Sequence, residues 1–505
     1  MRSKHSIVQN TLLLTGVELL LRAISMLFQR ELAARIGAAG IGLLQLVLSV
    51  GGFAMTLGLS GLRVCAMYLC AEEYGRGRPG GMQQVMGFCL RAGALISSVV
   101  GLALWLLSDY AAARWIADPR AGQALRLLAL FLPVNCLCAI LSGFFTACDR
   151  VPQLARIETI ERLGAIALTF LLLRFWAGTD TRRACSAMIL GSALACLAST
   201  LWQLGLYRRI CRGFTPAPKD SSLGQRVWKL CAPLALSAYL RSGLSTLEQL
   251  LIPWGLAKNA ATAHSSMAAY GTIHGMVFPV LMLPAAILYT LGDLLVPELA
   301  RCRAEENTRR IRRLTKICLR MGLIFSLGVA CLMAALSGAL GQLLYKSPAA
   351  GHYLLVFSPM LVMLYMDAMV DGMLKGLGEQ VACVRYNTLT SFLDILLLYL
   401  LLPRGGVGGY VLTFFVTHAL NFYLSCQKLF RVTGLHASGA FLLRALFCAL
   451  SAFAACFCIP SAPTLLCAAL RAGSFLSVFV PFLALTDTLR ASERRWLRES
   501  LALRR

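Results

Sequence analysis

Two arginines lie within apolar stretches that are long enough to cross a lipid bilayer. Arg22 falls in the first stretch, residues 7–37, and Arg241 falls in the seventh, residues 226–256. An arginine at the bilayer centre costs roughly 2.5–3.5 kcal/mol on insertion scales, so such residues usually face a bundle interior or a water-filled cavity. Guanidinium groups bind two phosphate oxygens at once. The two positions therefore favour a cavity that handles anions, and several arginines would suit a pyrophosphate group.

Two further charged residues join this predicted anion site. Glu18 precedes Arg22 by one helical turn, so the two share a helix face. Two interpretations stay open, because Glu18 could orient a cavity arginine or could only neutralise it for insertion. Arg63 lies in the second stretch, residues 41–70, from which its side chain could also reach the interface. We predict that Glu18, Arg22, Arg63 and Arg241 bind the substrate.

Five other polar residues form a predicted cation site: Glu248, Thr390, Asp394, Thr413 and Thr417. Thr390 and Asp394 are one helical turn apart, and so are Thr413 and Thr417. Oxygen ligands of this kind could hold Na⁺, or the carboxylates could carry a proton. The structural alternative is that Asp394 and Glu248 simply pair with arginines. Neither alternative requires an organic cofactor.

The composition indicates how these residues are held. The chain has 505 residues, of which 58% are hydrophobic and 14% are charged, with a mean hydropathy of +0.71. Apolar runs of about 20 residues recur from end to end, and each could span ~30 Å of hydrocarbon as a helix. We predict an all-α polytopic membrane protein with no soluble domain. Its fourteen stretches are 7–37, 41–70, 82–108, 120–148, 156–176, 184–207, 226–256, 266–298, 308–336, 350–375, 382–402, 407–430, 437–459 and 463–486.

The net charge of +25 follows a membrane pattern. Basic residues crowd alternate loops, at 208–219, 301–316 and 490–505, whereas most of the intervening loops carry few. This distribution matches the positive-inside rule, with the Arg182–Arg183 loop as an exception. It argues against nucleic acid as a partner. It places both termini in the cytoplasm, and the basic tail could also touch anionic lipid.

An internal repeat divides the chain. Residues 142–173 resemble residues 371–402 at an offset of 229, and residues 59–73 parallel residues 291–305 at an offset of 232. We expect two six-helix lobes related by an axis along the membrane normal, with the substrate site between them near the midplane. The predicted parts are lobes 1–213 and 226–431, a cytoplasmic linker 214–225, two extra helices in 432–487 and a basic cytoplasmic tail 488–505.

Signals for catalysis, metal binding or secretion are weak in this sequence. The 19 cysteines fall mostly in apolar runs, and no CxxC pair has a histidine partner, so we interpret them as packing residues. The histidines show no spacing typical of nucleophiles or metal ligands. We therefore expect neither an enzyme nor a metal site. The first apolar stretch is too long for a signal peptide and should be retained as a helix.

Several motifs carry a resemblance to a known family. The segment 37–73 resembles a G-x-x-G-x-G-L-Y-Q opening, although Leu44 replaces the usual tyrosine. Further matches are EQLLIP at 248–253, the segments 270–284 and 294–300, LKGLGEQ at 374–380 and LLPRGGVGGY at 401–410. In this order they resemble the stage V sporulation protein B and polysaccharide-export branch of the multidrug/oligosaccharidyl-lipid/polysaccharide flippase superfamily.

This resemblance implies a flippase for lipid-linked saccharides of the polyprenyl-pyrophosphate, peptidoglycan-precursor type. Such proteins have twelve to fourteen helices and work by alternating access through a central cationic cavity. Arg22 and Arg63 correspond approximately to arginines of their helices 1 and 2. Their cation site draws on helices 7, 11 and 12, where Glu248, Asp394 and Thr417 fall. Glu248 stands where this branch usually has aspartate.

The resemblance also sets the expected context. We expect a monomer in the bacterial cytoplasmic membrane that serves cell-wall or spore-cortex synthesis beside the enzymes of that process. Na⁺ or H⁺ would be the coupling ion. Two alternatives stay open, namely a multidrug cation antiporter of the same superfamily and a membrane scaffold that transports nothing.

Overall fold

The computed structural model describes residues 4–148, 150–178, 180–214, 222–259, 263–436, 438–460 and 463–489. The side chains of residues 4–15, 17–19, 263 and 294 lie outside this description. Within these ranges the chain is helical and contains no strand. Most of these helices are rich in apolar residues. Apolar segments in a bilayer form helices, because the backbone must satisfy its polar groups within the segment.

Sixteen α-helices follow one another through the described residues. They are α1 Lys4–Leu59, α2 Leu62–Gly75, α3 Pro79–Tyr110, α4 Ala121–Ala147, α5 Val151–Leu172, α6 Thr181–Cys211, α7 Leu223–Asn259, α8 Ala263–Tyr270, α9 Phe278–Met282, α10 Ala285–Ala304, α11 Thr308–Tyr345, α12 Pro348–Phe357, α13 Leu361–Gly376, α14 Gln380–Thr433, α15 Gly439–Ala455 and α16 Leu465–Leu485. Short π-helical segments lie at Ala111–Trp115, Leu173–Ala177 and Gly271–Val277.

The described helices are long and apolar enough for nine membrane spans, or up to ten if one bent pair counts as a single span. Two of the longest helices bend at a glycine with positive φ, α1 at Gly37 and α14 at Gly406. Each therefore has length for two crossings of about 20 residues. The predicted stretches lie mainly on helices, which confirms the all-α membrane fold. The number of fourteen crossings stays a prediction.

The chain forms two compact units, which we call the N-unit and the C-unit. The N-unit comprises Leu32–Trp254 and Ala261–Gly271, and the C-unit comprises Met1–Glu31, Gly255–Ala260 and Thr272–Arg505. The N-unit thus contains the second part of α1, helices α2–α6, most of α7 and α8. The C-unit contains the first part of α1 and helices α9–α16. The predicted lobe boundaries stay predictions.

Two predicted segments fall partly beyond the structure. Residues 215–221 of the predicted linker and residues 490–505 of the predicted basic tail lie outside the described residues.

Each unit has its own apolar core. In the N-unit, buried residues between Leu62 and Cys231 pack together, and the Phe144 ring meets Tyr207 edge to face at 5.0 Å. In the C-unit, α11, α15 and α16 share a core that includes Cys448 and Phe475. Small residues in these cores let helices approach closely, as is typical of membrane bundles.

Glycine packing gives the internal repeat a structural counterpart. A Cβ added to Gly143 would lie 2.7 Å from the carbonyl oxygen of Arg63, and one added to Gly372 would lie 2.7 Å from that of Gly292. Gly372 and Gly292 lie 229 residues after Gly143 and Arg63, which is the offset found in the sequence. The same offset relates two more contacts: Gly93 with Ile140, and Gly322 with Met369. Corresponding helices therefore approach each other in the same way in both units.

Backbone conformation repeats as well. Gly178, after α5, has φ 56° and ψ −125°, and Gly406, within α14, has φ 53° and ψ −133°. This region of backbone conformation is accessible essentially to glycine alone. The two glycines are 228 residues apart, so they mark corresponding turns between consecutive long helices.

Candidate functional site

The three arginines predicted to bind the substrate are all exposed. Arg22 lies in the first part of α1, within the C-unit, whereas Arg63 in α2 and Arg241 in the middle of α7 lie in the N-unit. None of the three makes an ion pair with any residue that the structure describes. They are therefore exposed positive charges, without an ion pair among the described side chains, on helices of a membrane protein.

Two other helix arginines are bonded to protein groups. Arg320 donates to the carbonyl of Thr488 at 2.9 Å and lies 4.1 Å from the ring centroid of Phe441. Arg226 pairs with Glu72 at 3.0 Å. The protein therefore satisfies arginines elsewhere with carbonyls, rings and carboxylates. The three exposed arginines differ, because their charge stays available to water or to a ligand.

Packing of α7 on α1 leaves Arg241 outside the contact. Thr56 Oγ1 donates to Ser242 Oγ at 3.2 Å, and the Tyr239 hydroxyl shares a hydrogen bond with Ser60. Positions 239 and 242 lie on nearly the same helix face, since three residues advance a helix by almost one turn. Arg241 points away from that face and is exposed.

Arg22 has an electrostatic neighbourhood within the C-unit. The Tyr289 hydroxyl, on α10, lies within electrostatic range of both Arg22 and Asp367. Glu18, the predicted neighbour of Arg22, has a side chain outside the described residues. The choice between an orienting and a neutralising role for Glu18 therefore stays a prediction.

Two side-chain hydrogen bonds join the two halves of α14. Thr417 Oγ1 donates to Asp394 Oδ1 at 2.9 Å, and Thr390 Oγ1 donates to Asn421 Oδ1 at 3.5 Å. All four residues are buried. Thr390 and Asp394 are one turn apart on one segment, and Thr417 and Asn421 are one turn apart on the other. The two hydrogen bonds therefore lie one helical turn apart along the same contact between the two segments.

The remaining two residues of the predicted cation site have different surroundings. Thr413 is fully buried and donates to the Gly409 carbonyl at 2.9 Å, while its own carbonyl accepts a bond from Thr417 at 3.0 Å. Glu248 is half-buried on α7 in the N-unit, within electrostatic range of Tyr270. The C-unit thus brings four of the five predicted residues together, and Glu248 belongs to the other unit.

Sequence reasoning missed the residues that extend this contact onto α13. Asn421 Nδ2 donates to Asp367 Oδ2 at 2.8 Å, and Asn387 Nδ2 donates to Asp371 Oδ2 at 3.5 Å. The second oxygens, Asp367 Oδ1 and Asp371 Oδ1, are buried without a hydrogen-bond partner among the described residues. Two features of the sequence could have identified these residues. Asp367 and Asp371 are one helical turn apart, and Asn421 lies one turn after Thr417. We call the whole set the polar seam: Asp367, Asp371, Asn387, Thr390, Asp394, Thr413, Thr417 and Asn421.

The polar seam can hold a small cation. It offers carboxylate, amide and hydroxyl oxygens, which are the ligands that hard cations prefer. Buried carboxylates in an apolar bundle are also natural proton carriers. The geometry therefore allows either Na⁺ or H⁺ in the C-unit.

Comparison with solved structures identifies the fold. The fold matches an inward-facing multidrug resistance MATE family transporter of the MOP superfamily with a TM-score of 0.65, at 14% identity, covering 83% of this chain and 96% of that one. It also matches the lipid II flippase MurJ in an inward closed conformation with a TM-score of 0.71, at 12% identity, covering 95% of this chain and all of that one. The chain thus has the fold of MOP superfamily transporters.

Sequence comparison points to particular relatives. A MatE family profile matches residues 5–171. Stage V sporulation protein B of Bacillus subtilis (strain 168) is 20% identical over 417 residues, which cover 80% of each chain. These similarities confirm the resemblance that the sequence motifs indicated.

Proposed function

We propose that this protein is a flippase that carries a lipid-linked saccharide with a polyprenyl-pyrophosphate anchor across the bacterial cytoplasmic membrane. The observation that carries the proposal is that Arg22, Arg63 and Arg241, on helices of a MOP-type fold, are exposed and make no ion pair with any described side chain. Similarity to stage V sporulation protein B and to the lipid II flippase supports a substrate of the peptidoglycan-precursor type.

Charge favours this substrate over the main alternative. A multidrug cation antiporter needs acidic or aromatic surfaces, and exposed guanidinium groups would repel an organic cation. A pyrophosphate offers several oxygens to the planar fork of each arginine. Binding of the anion would also offset the cost of keeping these charges within membrane spans.

The coupling ion belongs to the polar seam in this proposal. Na⁺ or H⁺ bound at Thr390, Asp394, Thr413 and Thr417 would favour one conformation and so reset the empty carrier. Glu248, in the N-unit, is the fifth residue that we assign to coupling. Glu248 can be mutated without changing the hydrogen bonds within α14, because it lies on α7.

The cellular setting completes the proposal. Both termini face the cytoplasm, as the loop charges require. The protein acts as a monomer and delivers its cargo to cell-wall or spore-cortex enzymes on the outer face. Lipids that copurify with the protein should therefore include polyprenyl-pyrophosphate saccharides, detectable by mass spectrometry of a native extract.

Flipping by purified protein in proteoliposomes tests the arginines directly. We expect Arg22→Ala and Arg241→Ala to lower the rate at least about tenfold, since each removes a charge-assisted contact worth about 1.5–3 kcal/mol. The readout is the fraction of a polyprenyl-pyrophosphate saccharide that an external reagent reaches with time.

Arg126→Ala is the matched control for these variants. Arg126 already pairs with Asp109 and is exposed, so its loss removes a charge without touching the proposed site. Full activity in both Arg22→Ala and Arg241→Ala would contradict the anion-binding role, provided that all variants reach the membrane at equal levels.

A further inference from the structure

A cluster of potential metal ligands lies in the N-unit, on helices α4, α5 and α6. Cys138 of α4, Glu161 of α5 and Cys196 of α6 bring two sulfurs and a carboxylate oxygen within 4.8 Å of one another. Both cysteines are buried, at 7% and 6% exposure, whereas Glu161 is only half-buried. The cluster therefore joins three helices at one point and keeps a route to the outside.

A buried glutamine provides an independent sign of a missing group. Gln203 of α6 is fully buried, and its Nε2 donates to Cys138 Sγ and to Ser199 Oγ, both at 3.3 Å. Its Oε1 is buried without a hydrogen-bond partner in the described part of the chain. Such orphaned polar atoms are rare and call for an explanation, of which an absent ion is one.

Either orientation of this amide suits a metal at the cluster. As it stands, the N–H donor favours the thiolate form of Cys138, which is the form that binds metals. Turned by half a rotation, the amide would present Oε1 beside Cys138 as a further oxygen ligand.

The internal repeat shows that these positions converge in both units. Cys138 and Glu161 stand 229 residues before Asp367 and Thr390, at the offset that relates the glycine contacts. In the C-unit, Asp367 and Thr390 both bond to Asn421, at 2.8 and 3.5 Å. Corresponding positions of the two units thus hold polar groups in contact. The N-unit differs in its chemistry, because sulfur replaces oxygen.

We propose that Cys138, Glu161 and Cys196 bind a thiophilic divalent cation of the Zn²⁺ type. Zn²⁺ binds both thiolates and carboxylates, whereas Mg²⁺ and Ca²⁺ prefer oxygen ligands. Binding releases the two thiol protons, and the two thiolates then offset the charge of the ion. The ion would clamp α4, α5 and α6 together within the N-unit.

A neighbouring thiol pair gives a useful contrast. Cys65 of α2 and Cys231 of α7 also meet, with their sulfurs 2.9 Å apart. This pair belongs to no group of three potential metal ligands within the described residues. It therefore serves as a control for binding that any two adjacent thiols would show.

Metal titration of the purified full-length protein in detergent tests the proposal. After chelator treatment under reducing conditions, Cd²⁺ is added and the ultraviolet sulfur-to-cadmium charge-transfer band is followed, with Zn²⁺ as competitor. We expect one tight equivalent per chain that Cys138→Ser and Cys196→Ser abolish. Glu161→Gln, which keeps both thiols, should weaken binding at least about tenfold.

Two controls should keep the tight equivalent. Cys136→Ser removes a buried cysteine two residues away on α4, and the double variant Cys65→Ser, Cys231→Ser removes the contrasting pair. Metal stoichiometry that is the same in wild type and in both cluster variants would overturn the proposal. So would a thiol count showing that Cys138 and Cys196 are joined as a disulfide in protein purified without reductant.

Folding of each variant is checked by gel filtration and by thermal unfolding. Zn²⁺ should raise the unfolding temperature of the wild type and of Cys136→Ser, but not that of Cys138→Ser. Equal shifts in all three proteins would contradict a clamp at this cluster.

Discussion

At Arg22 and Arg241 a charge stands where an apolar residue would insert more easily. An arginine at mid-bilayer costs roughly 2.5–3.5 kcal/mol on insertion scales. In the proposed function, an anionic substrate would offset that cost by accepting two hydrogen bonds from each guanidinium fork. Lysine would keep the charge and lose the fork, which makes the Arg→Lys variants informative about geometry as opposed to charge.

Asp394 provides a residue-scale test of coupling. In Asp394→Asn the amide oxygen can still accept the hydrogen bond from Thr417, but the negative charge that attracts a cation is lost. We expect flipping to slow while substrate affinity stays close to that of the wild type. Flipping in proteoliposomes across Na⁺ and pH gradients measures the first quantity, and equilibrium binding of the substrate measures the second.

Thr417→Ser is the conservative control for Asp394→Asn, because serine keeps the hydroxyl donor. If Asp394→Asn flips as fast as the wild type under every gradient, Asp394 has no part in coupling. Loss of substrate binding in the same variant would instead assign the residue to recognition.

Sequence reasoning at this scale found residues by type and by spacing along one helix. Asp394 and Thr417 were predicted in this way, and the structure shows the bond between them. Asp367 was missed as a partner of Asn421, because the contact joins two helices and depends on packing. The cluster of Cys138, Glu161 and Cys196 was not predicted for the same reason, since its three side chains come from three helices.

At the scale of helices, close contacts at glycine make a stability prediction. Gly143→Ala and Gly372→Ala each place a Cβ 2.7 Å from a backbone carbonyl oxygen, which forces two helices apart. Overpacking of this kind costs typically about 1–3 kcal/mol. We expect a lower unfolding temperature for both variants in detergent, measured by calorimetry or by intrinsic fluorescence.

Gly205→Ala in α6 and Gly338→Ala in α11 are the controls, because a Cβ at either position meets no atom within 4 Å. Alanine also has the higher helix propensity, so these variants should be as stable as the wild type or more so. Equal unfolding temperatures for Gly143→Ala and Gly205→Ala would show that the contact at Gly143 relaxes without cost.

Hydropathy predicted the helices well because the bilayer sets their length. Prolines within α4, α7 and α10 did not mislead it, since the apolar runs continue through them. The break at Gly406 falls between two predicted stretches, and the break at Gly37 falls at the last residue of the first. Which unit each helix joins could not be predicted, because that depends on side-chain packing. The first part of α1 is the clearest case, since it belongs to the C-unit.

For the whole molecule, the charge pattern makes a topology prediction. The connection between α6 and α7 and the loop between α10 and α11 should both face the cytoplasm, as the positive-inside rule requires. Cysteines introduced at the exposed positions Gly213 and Glu306, in a cysteine-free background, should resist a membrane-impermeant thiol reagent in intact cells. A cysteine at Lys346, after one further span, should react. Labelling at Gly213 from outside would contradict the fourteen-helix topology.

The electrical potential should assist the loaded step of transport. A lipid pyrophosphate with about two negative charges leaves a cell that is negative inside with a gain of ~2.3 kcal/mol per charge for each 100 mV. We expect a valinomycin-imposed potential, negative on the cytoplasmic side, to accelerate flipping in proteoliposomes. The reversed potential should slow it. A rate independent of potential would mean that the arginines neutralise the cargo fully during the crossing.

The division of α1 between the units has a consequence for biosynthesis. The ribosome makes residues 4–31 first, but apart from the short segment Gly255–Ala260 the rest of the C-unit begins at residue 272, about 240 residues later. At about 5–20 residues per second, the delay is roughly 12–50 s. The N-unit is complete by residue 271, so it can assemble during translation while the first segment waits beside the insertion machinery. A nascent chain halted at residue 271 should therefore hold a folded N-unit and an amino-terminal segment, Arg22 included, that lacks most of its own unit.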